Sequence, residues 1–424
     1  MDRPQVELLD ILLGFSEALD LVDHAVANHH MQVAYIAYSI ADKLGYSHED
    51  KRQIVMAGAL HDIGAISIQE RLLALKFEDY LTHKHAEVGY LFLRQFAPLQ
   101  FAAEIIRYHH VPWMGGKGRK VFNFEVPEES HIIHLADRIA VLIKNPACIL
   151  EEKENICSKI KHYRGIAFVP EHVDAFLELA ECEYFWLDVV SNQIPLILKR
   201  YLSPAVIDLS LNQLQDFARL FSRIVDFRSP LNASHSSGVA LIAERLAEKA
   251  GFSDTECKLM RVAGYLHDLG KIAVPVEILE KPGKLSPQEF LVIKRHPYYT
   301  YSILSKIESL TIINKWASFH HERLDGRGYP FHLKEKDLPI GSQIMAVADV
   351  FTAVCEDRPY RQGMNKKEVL GILEKMALDK AINGDIVNFI KDDFDMLNDE
   401  RKSMQKESLR DYEHIVHPLK GLKL

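Results

Sequence analysis

Cysteine is scarce in this 424-residue chain, and so are long apolar runs. The five cysteines include no CxxC pair, which argues against a disulfide framework or a thiolate zinc site. We expect them to be buried as small hydrophobic residues. No apolar run reaches about 18 residues, so no membrane insertion is expected. The first residues carry acidic side chains and no small-residue cleavage site, which predicts a cytoplasmic protein.

Positive charge is also in short supply, since the net charge is -8. A duplex nucleic acid needs clustered Lys and Arg to neutralise its phosphates, so that partner is not expected. A small anionic ligand needs only a local basic pocket. The composition is that of an ordinary folded protein, and the length predicts two or three compact units.

An internal repeat organises the chain. The segment VAYIAYSIADKLGYSHED at 33–50 resembles VALIAERLAEKAGFSDTE at 239–256, and polar residues repeat in the same order. The matched positions are His29 with His235, His61 and Asp62 with His267 and Asp268, His85 with His296, His109 and His110 with His320 and His321, and Asp137 with Asp349. We therefore predict two domains, 1–203 and 204–424, in contact with each other.

Apolar residues recur at three- and four-residue steps in 165–200, 234–250, 286–306 and 365–378, without strand alternation. This periodicity predicts an all-α fold. The two halves are then tandem helical domains that arose by duplication.

The repeated polar residues have the composition of a metal site. In the second copy they are five imidazoles and two carboxylates, a set that suits borderline divalent metals. We expect two ions, with iron or manganese first and nickel, cobalt or zinc as alternatives. Two such ions can hold a bridging hydroxide for attack on phosphorus, and Asp268 is the best candidate for a bridging carboxylate and catalytic residue. A single His or Asp, by contrast, is more often a helix cap or a core hydrogen-bonding group.

Basic and aromatic residues follow these ligands. Lys271 lies three residues after Asp268, where its ammonium could contact a substrate phosphate or protonate the leaving oxygen. In ERLDGRGYP, Gly326 and Gly328 permit a tight loop, and Pro330 stiffens its exit and presents Tyr329 to a base. Arg358 and Arg361 follow Asp349 in DRPYRQG and could approach phosphates. An exposed lysine and a plain surface turn are the simpler interpretations of the first two features.

Together HDLGK, HHERLDGRGYP, VADVF and RPYR resemble the HD-GYP phosphodiesterases over about residues 205–390. The resemblance implies an all-helical domain with a two- or three-metal centre that opens cyclic dinucleotides. It assigns phosphate contacts to Lys271, Arg358 and Arg361, and it assigns the signature loop to Asp325, Gly326, Gly328, Tyr329 and Pro330. Three-metal members carry a Glu where this chain has Leu231, so two metals are expected.

The first copy departs further from the family. It keeps His29, His61, Asp62, His85, His109, His110 and Asp137. However, it has Ala65 in place of Lys271 and lacks both the GYP loop and RPYR. A second metal cluster and a packed regulatory domain with relict polar residues are equally good interpretations. The whole chain resembles the tandem HD-GYP phosphodiesterases that degrade cyclic GMP-AMP.

The predicted function is hydrolysis of a cyclic dinucleotide, cyclic GMP-AMP or cyclic di-GMP, to a linear dinucleotide. The metal ligands alone fit an HD-type nucleotide phosphohydrolase equally well, but the GYP and RPYR elements argue against it. A non-catalytic cyclic-dinucleotide receptor is a further alternative. It is disfavoured because the second copy retains both its ligands and its lysine.

Overall fold

A computed structural model describes residues 6–20, 28–65, 70, 77, 83–202, 208–228, 234–281, 283–357 and 362–419. Arg358, Arg361 and Leu231 lie outside these described residues. The chain forms two compact units, of which one contains Glu7–Ile207 and the other Asp208–Pro418. In the described residues no helix has both the length and the apolar character that a membrane crossing requires.

Helices build the first unit. They are α1 (Leu8–Asp20), α2 (His29–Lys43), α3 (His48–Leu60), α4 (His83–Leu93), α5 (Gln100–Arg107), α6 (Glu128–Leu142), α7 (Ile149–His162), α8 (Pro170–Ala180), α9 (Glu183–Val189) and α10 (Ile194–Leu202). Short 3₁₀ turns lie at Ala97–Leu99, Met114–Arg119 and Pro146–Cys148. The strands are β1 (Val6–Glu7), β2 (Lys120–Val121) and β3 (Phe124–Glu125), and β2 and β3 pair antiparallel.

The second unit repeats this plan after β4 (Asp208–Leu209). Its helices are α11 (Leu211–Phe227), α12 (His235–Lys249), α13 (Asp254–Leu266), α14 (Val276–Leu279), α15 (Pro287–Ile293), α16 (His296–Leu304), α17 (Thr311–Ser318), α18 (Ile340–Cys355), α19 (Lys366–Leu378), α20 (Gly384–Asp392) and α21 (Phe394–Leu419). The 3₁₀ turns are Leu269–Ala273, Glu308–Leu310 and Glu335–Asp337.

The all-α prediction is confirmed, with strands of only two residues each in the described part of the chain. The segment predicted as helical over 286–306 is two helices, because α15 ends at Ile293 and α16 begins at His296. The prediction that the cysteines are buried is wrong for most of them. Cys257 is buried, Cys182 is exposed, and Cys148, Cys157 and Cys355 are intermediate.

Matched glycines allow the central helices to approach closely in both units. A Cβ on Gly264 of α13 would lie 2.4 Å from the Cα of Ala240 on α12. A Cβ on Gly58 of α3 would lie 2.8 Å from the Cα of Ala34 on α2. Real Cβ atoms do not come this near to a backbone atom, so each crossing requires glycine. The crossing brings the end of α13 beside the start of α12.

Local sequence signals place the His-Asp pair at the end of α13. Ser253 begins this helix with a capping box, since its Oγ accepts from the backbone N of Glu256 and its own N donates to the Glu256 carboxylate at 3.0 Å. The helix ends at Leu266, and Asp268 leaves the helical path with φ −96° and ψ 10°. His267 and Asp268 therefore turn into the interior of the unit.

Candidate metal centre

The structure gathers the second-copy His and Asp side chains into two adjoining groups. Cluster A consists of His235, His267 and Asp268, and cluster B consists of His296, His320 and His321. Within each cluster one ligand atom per residue lies within 4.8 Å of the others. Asp349 joins cluster A, because its Oδ1 lies 3.2 Å from Nε2 of His235.

Asp268 lies between the two clusters. Its Oδ2 is 3.2 Å from Nε2 of His267 in cluster A, and its Oδ1 is 3.2 Å from Nε2 of His296 in cluster B. Each oxygen of one carboxylate thus faces a different cluster. That is the arrangement a carboxylate needs to bridge two cations.

The histidine hydrogen bonds leave the metal-facing nitrogens unprotonated. Nδ1 of His320 donates to the carbonyl of Ala317 at 2.6 Å, and Nδ1 of His296 donates to that of Ile293 at 2.7 Å. Their Nε2 atoms face each other at 3.3 Å. Burial first, and then the neighbouring His321, lower the pKa of His320 well below its usual value, so its Nε2 presents a lone pair. A lone pair needs a cation or a donor opposite it.

Cluster A shows the same need for a cation. Nδ1 of His267 donates to the carbonyl of Gly264 at 2.7 Å, and its buried Nε2 has no hydrogen-bond partner. Buried polar atoms in folded proteins are almost always satisfied. The donor set of imidazoles and carboxylates suits a divalent transition metal. The residues therefore fit metal ions in both clusters.

In cluster B burial favours the neutral imidazoles that bind metals, whereas in cluster A, although burial opposes it, Glu356 and Asp349 raise the pKa of His235 to about 10 and Asp268 raises the pKa of His267. Burial lowers the pKa of His321 to about 3, which keeps this imidazole neutral. Burial opposes ionisation of Asp268, but His267 and Lys271 outweigh it and hold the pKa of its carboxyl well below the usual value. Neutral imidazoles and an ionised carboxylate are the forms that bind metals.

A glycine and a threonine join the His-Asp turn to the cluster B helix. A Cβ on Gly270 would lie 2.0 Å from the carbonyl oxygen of His296, so only glycine fits there. The buried Thr300 hydroxyl donates to the carbonyl of His267 at 3.1 Å and accepts from the backbone N of Gly270 at 2.9 Å. These contacts fix Asp268 between the clusters. The glycine of the HDLGK motif is thus explained by packing.

Lys271 reaches back to the centre. Its Nζ lies 2.5 Å from Oδ2 of Asp268. Burial works against its charge, but Asp268 outweighs this and raises the pKa of Lys271. The lysine is therefore cationic at neutral pH and lies beside the clusters.

The signature loop is held by a residue that sequence reasoning did not single out. The buried Glu322 accepts from the backbone N of Phe331 at 2.6 Å and from that of Leu333 at 3.0 Å. Asp325 bonds inside the loop, with Nη2 of Arg323 at 2.8 Å and the backbone N of Arg327 at 2.9 Å. Asp325 therefore shapes the loop. The sequence feature that could have identified Glu322 is its position directly after His321, within the motif HHERLDGRGYP.

Two further loop residues have conformational roles. Gly326 has φ +75°, in the left-handed region that favours glycine. A Cβ on Gly328 would lie 2.4 Å from the Cα of Glu322, so the loop can fold back on itself only with glycine there. The Tyr329–Pro330 peptide is cis.

An aromatic and basic cleft of about 350 Å³ lies next to cluster B. Its lining residues are Leu291, Lys294, Arg295, Tyr298, Tyr299, Tyr329, Pro330 and His332. The Tyr329 ring lies 4.9 Å from the ring of His321, and Nζ of Lys294 is 4.8 Å from the Tyr329 ring centre. A flat, anionic ligand suits these walls, and the volume falls within the range of roughly 300 to 1,000 Å³ of ligand pockets.

The sequence also gave no signal for a buried acid on α11. Asp226 accepts from the hydroxyl of Ser236 at 3.0 Å. Burial raises its pKa to about 7, partly offset by His235. Its charge state therefore bears on the environment of cluster A.

The first unit repeats both clusters. Asp62, His85, His109 and His110 form one group, and His29, His61 and Asp137 form the other. Asp62 has Oδ1 at 3.0 Å from Nε2 of His85 and Oδ2 at 3.5 Å from Nε2 of His61, the same placement as Asp268. The first-unit clusters also have a buried cation beside them, because a guanidinium nitrogen of Arg138 lies 2.5 Å from Oδ2 of Asp137.

Comparison with known proteins agrees with this architecture. Residues 26–142 and residues 219–386 each match a family model described as the HD domain. The chain is thus a tandem HD-domain protein. It is 31% identical over 382 residues to the 3'3'-cGAMP-specific phosphodiesterase 1 of Vibrio cholerae, covering 87% of each chain. On this evidence the chain belongs to the HD-GYP family.

Two other related proteins match either a smaller part of the chain or at lower sequence identity. A cyclic di-GMP phosphodiesterase of Thermotoga maritima is 37% identical over 160 residues, which is 37% of this chain and 44% of that protein. A crystal structure of the cyclic GMP-AMP specific phosphodiesterase V-cGAP3 of V. cholerae has a TM-score of 0.64 at 23% identity. It covers 93% of this chain and 99% of that one. This last likeness is one of fold.

Proposed function

We propose that the chain is a metal-dependent phosphodiesterase that hydrolyses a cyclic dinucleotide to a linear dinucleotide. The observation that carries the proposal is the Asp268 carboxylate, whose two oxygens face two separate clusters of buried imidazoles. Related proteins named as cyclic-dinucleotide phosphodiesterases support it.

In this proposal seven residues of the second unit hold two divalent transition-metal ions, iron or manganese first. They are His235, His267, Asp268, His296, His320, His321 and Asp349. The bound ions would neutralise phosphate oxygens and lower the pKa of a water molecule. The protein's part is to hold the phosphate in place and to keep the imidazoles of His320 and His321 neutral.

Substrate contacts come from residues around the clusters. Lys271, fixed by Asp268 at 2.5 Å, places a positive charge beside the scissile phosphate. Tyr329 and Tyr298 line the neighbouring cleft and would stack a base, while Lys294 and Arg295 attract phosphate. We assign Arg358 and Arg361 to the same phosphates from the RPYR motif, although they lie outside the described residues.

The first unit, in this proposal, binds metal without catalysing hydrolysis. Its seven ligand residues are in place, and the buried Nε2 atoms of His29 and His61 have no hydrogen-bond partner. Yet Ala65 cannot supply the charge of Lys271, and no signature loop follows His110. A retained ligand set without substrate contacts fits a structural or sensing centre.

A direct assay tests the assignment. Purified protein is incubated with cyclic GMP-AMP, cyclic di-GMP or cyclic di-AMP, with manganese or iron, and linear products are separated by chromatography. We expect cleavage of cyclic GMP-AMP, cyclic di-GMP or both, and no activity after metal removal. Binding without cleavage would support the receptor alternative. Cleavage of nucleoside mono- or triphosphates alone would support the phosphohydrolase alternative.

A further inference from the structure

His235 differs from other cluster histidines in how its second nitrogen is held. His267, His296 and His320 each donate from Nδ1 to the backbone carbonyl three residues earlier. His235 is the first residue of α12, and its Nδ1 faces a carboxylate. A side chain takes the place of the carbonyl. Nδ1 of His235 lies 2.9 Å from Oε2 and 3.2 Å from Oε1 of Glu356.

Glu356 is itself held by the last helix. Gln405 of α21 donates from Nε2 to Glu356 and also to the carbonyl of Ser234 at 3.3 Å. Arg401, one turn earlier, donates to Oε1 of Gln405 and to the carbonyl of Cys355 at 3.2 Å. Arg401 is 2% exposed and Gln405 is 7% exposed. A buried chain of hydrogen bonds therefore runs from α21 through Glu356 to His235.

We propose that Glu356 is a positioning residue for the cluster A metal. By accepting the Nδ1 proton of His235 it leaves Nε2, which lies 3.2 Å from Oδ1 of Asp349, as the nitrogen that binds the cation. A carboxylate that accepts the Nδ1 proton also makes Nε2 more basic, so that Nε2 binds a cation more strongly. Gln405 sets the orientation of that carboxylate, so α21 tunes the metal site without touching it. This inference rests on the proposed metal centre.

The first unit provides an internal contrast. The repeat aligns Glu356 with Lys144, which cannot accept a proton from His29. The two centres thus share their ligands but differ in this support. We expect cluster A of the second unit to hold its ion more tightly than its first-unit counterpart.

Chelator competition on the full chain tests the proposal. Variants are made in an Asp62→Asn background, which weakens the first-unit centre, and are titrated with manganese against a fluorescent chelator. Loss of an outer-shell partner costs about 10- to 100-fold in metal affinity. We expect Glu356→Gln to weaken manganese binding by that factor in a variant whose circular dichroism shows that the metal-free protein is folded. The exposed Glu374→Gln, which removes a carboxylate that pairs with Lys391, is the matched control and should bind as the parent does.

A second variant covers the case in which Glu356→Gln does not fold. Gln405→Met keeps most of the side-chain volume but removes the donor to Glu356 without adding a charge, and it should weaken manganese binding in the same direction. Parent-like affinity in a folded Glu356→Gln, or in Gln405→Met if that variant alone folds, would overturn the inference. The titration uses no nucleotide, so a failure of the phosphodiesterase assignment would leave this result intact.

Discussion

At the scale of single residues, the two units differ beside the matched carboxylates of Asp62 and Asp268. Lys271 forms an ion pair with Asp268, whereas the matching residue beside Asp62 is Ala65. The ligand residues around these positions are the same in kind and placement. The difference therefore points to substrate handling, since both units keep a set of residues that could hold a metal ion.

Replacing Lys271 separates these two roles. In Lys271→Met we expect turnover to fall by about 100-fold or more, the usual scale for a group that assists proton transfer or charge in the transition state. Metal content should stay at the parent level, because Lys271 is not a ligand.

Arg358→Ala, unlike Lys271→Met, should raise KM more than it lowers kcat. Steady-state kinetics and elemental analysis check both, and unchanged kinetics in the two variants would remove the phosphate-contact assignment.

Asp226 predicts a pH effect on stability. Burial raises its pKa from about 4 when unfolded to about 7 when folded, so the folded protein binds this proton more tightly. That contribution is complete below about pH 4 and is lost as pH rises through about 7. Asp226→Asn stays neutral, so the metal-free variant should lose less stability than the parent between pH 4.5 and 7.5. Denaturant midpoints at the two pH values measure it, and equal losses would contradict the shift.

At the scale of elements, the signature loop depends on one buried acid. Glu322 accepts two backbone N–H groups from the far side of the loop, from Phe331 and Leu333. Hydrogen bonds to a charged acceptor are worth about 1.5 to 3 kcal/mol. The placement of Tyr329 beside His321 follows from this closure.

Weakening the closure should affect substrate binding more than metal binding. In Glu322→Gln one acceptor oxygen becomes an amide donor facing a backbone N–H, so the loop loses a bond of about 1.5 to 3 kcal/mol. We expect a KM increase of roughly 10-fold or more at unchanged metal content. Glu335→Gln, on the exposed 3₁₀ turn that follows, serves as control. A parent-like KM in Glu322→Gln would show that the loop does not hold the substrate.

At the scale of the whole molecule, each unit carries His and Asp clusters that could hold metal, but only the second sequence copy carries Lys271, the GYP loop and RPYR. Asp62 and Asp268 occupy the same place between two clusters. Asp62→Asn and Asp268→Asn are therefore matched variants, because each keeps the shape of the side chain and removes the charge of the carboxylate.

The matched pair should have unequal consequences. Asp268→Asn should lower turnover to below about one hundredth of the parent value, because even outer-shell changes at metal sites cost about 10- to 100-fold. Asp62→Asn should lose first-unit metal and keep most of its turnover. Kinetics with elemental analysis of both variants provide the check. Full activity in Asp268→Asn, or abolished activity in Asp62→Asn at normal second-unit metal content, would contradict this division of labour.

The sequence by itself determined the helical fold, the duplication and the set of metal-facing residues. Helical periodicity and the ordered repetition of His and Asp are patterns along the chain, so both can be recognised from the sequence alone. It also pointed to Asp268 as a bridging group, because a His-Asp pair at the end of an apolar helix puts both side chains at one point.

Only the tertiary structure decided how those residues are supported. Thr300, Glu322 and Glu356 act on residues that are 9 to 121 positions away in the chain, through hydrogen bonds at 2.6 to 3.2 Å. No periodicity or spacing encodes such pairs, because the partners come together only when the signature loop closes and the helices cross. The break between α15 and α16, by contrast, has a local cause, because Pro297 in the first turn of α16 has no backbone N–H to continue the preceding helix.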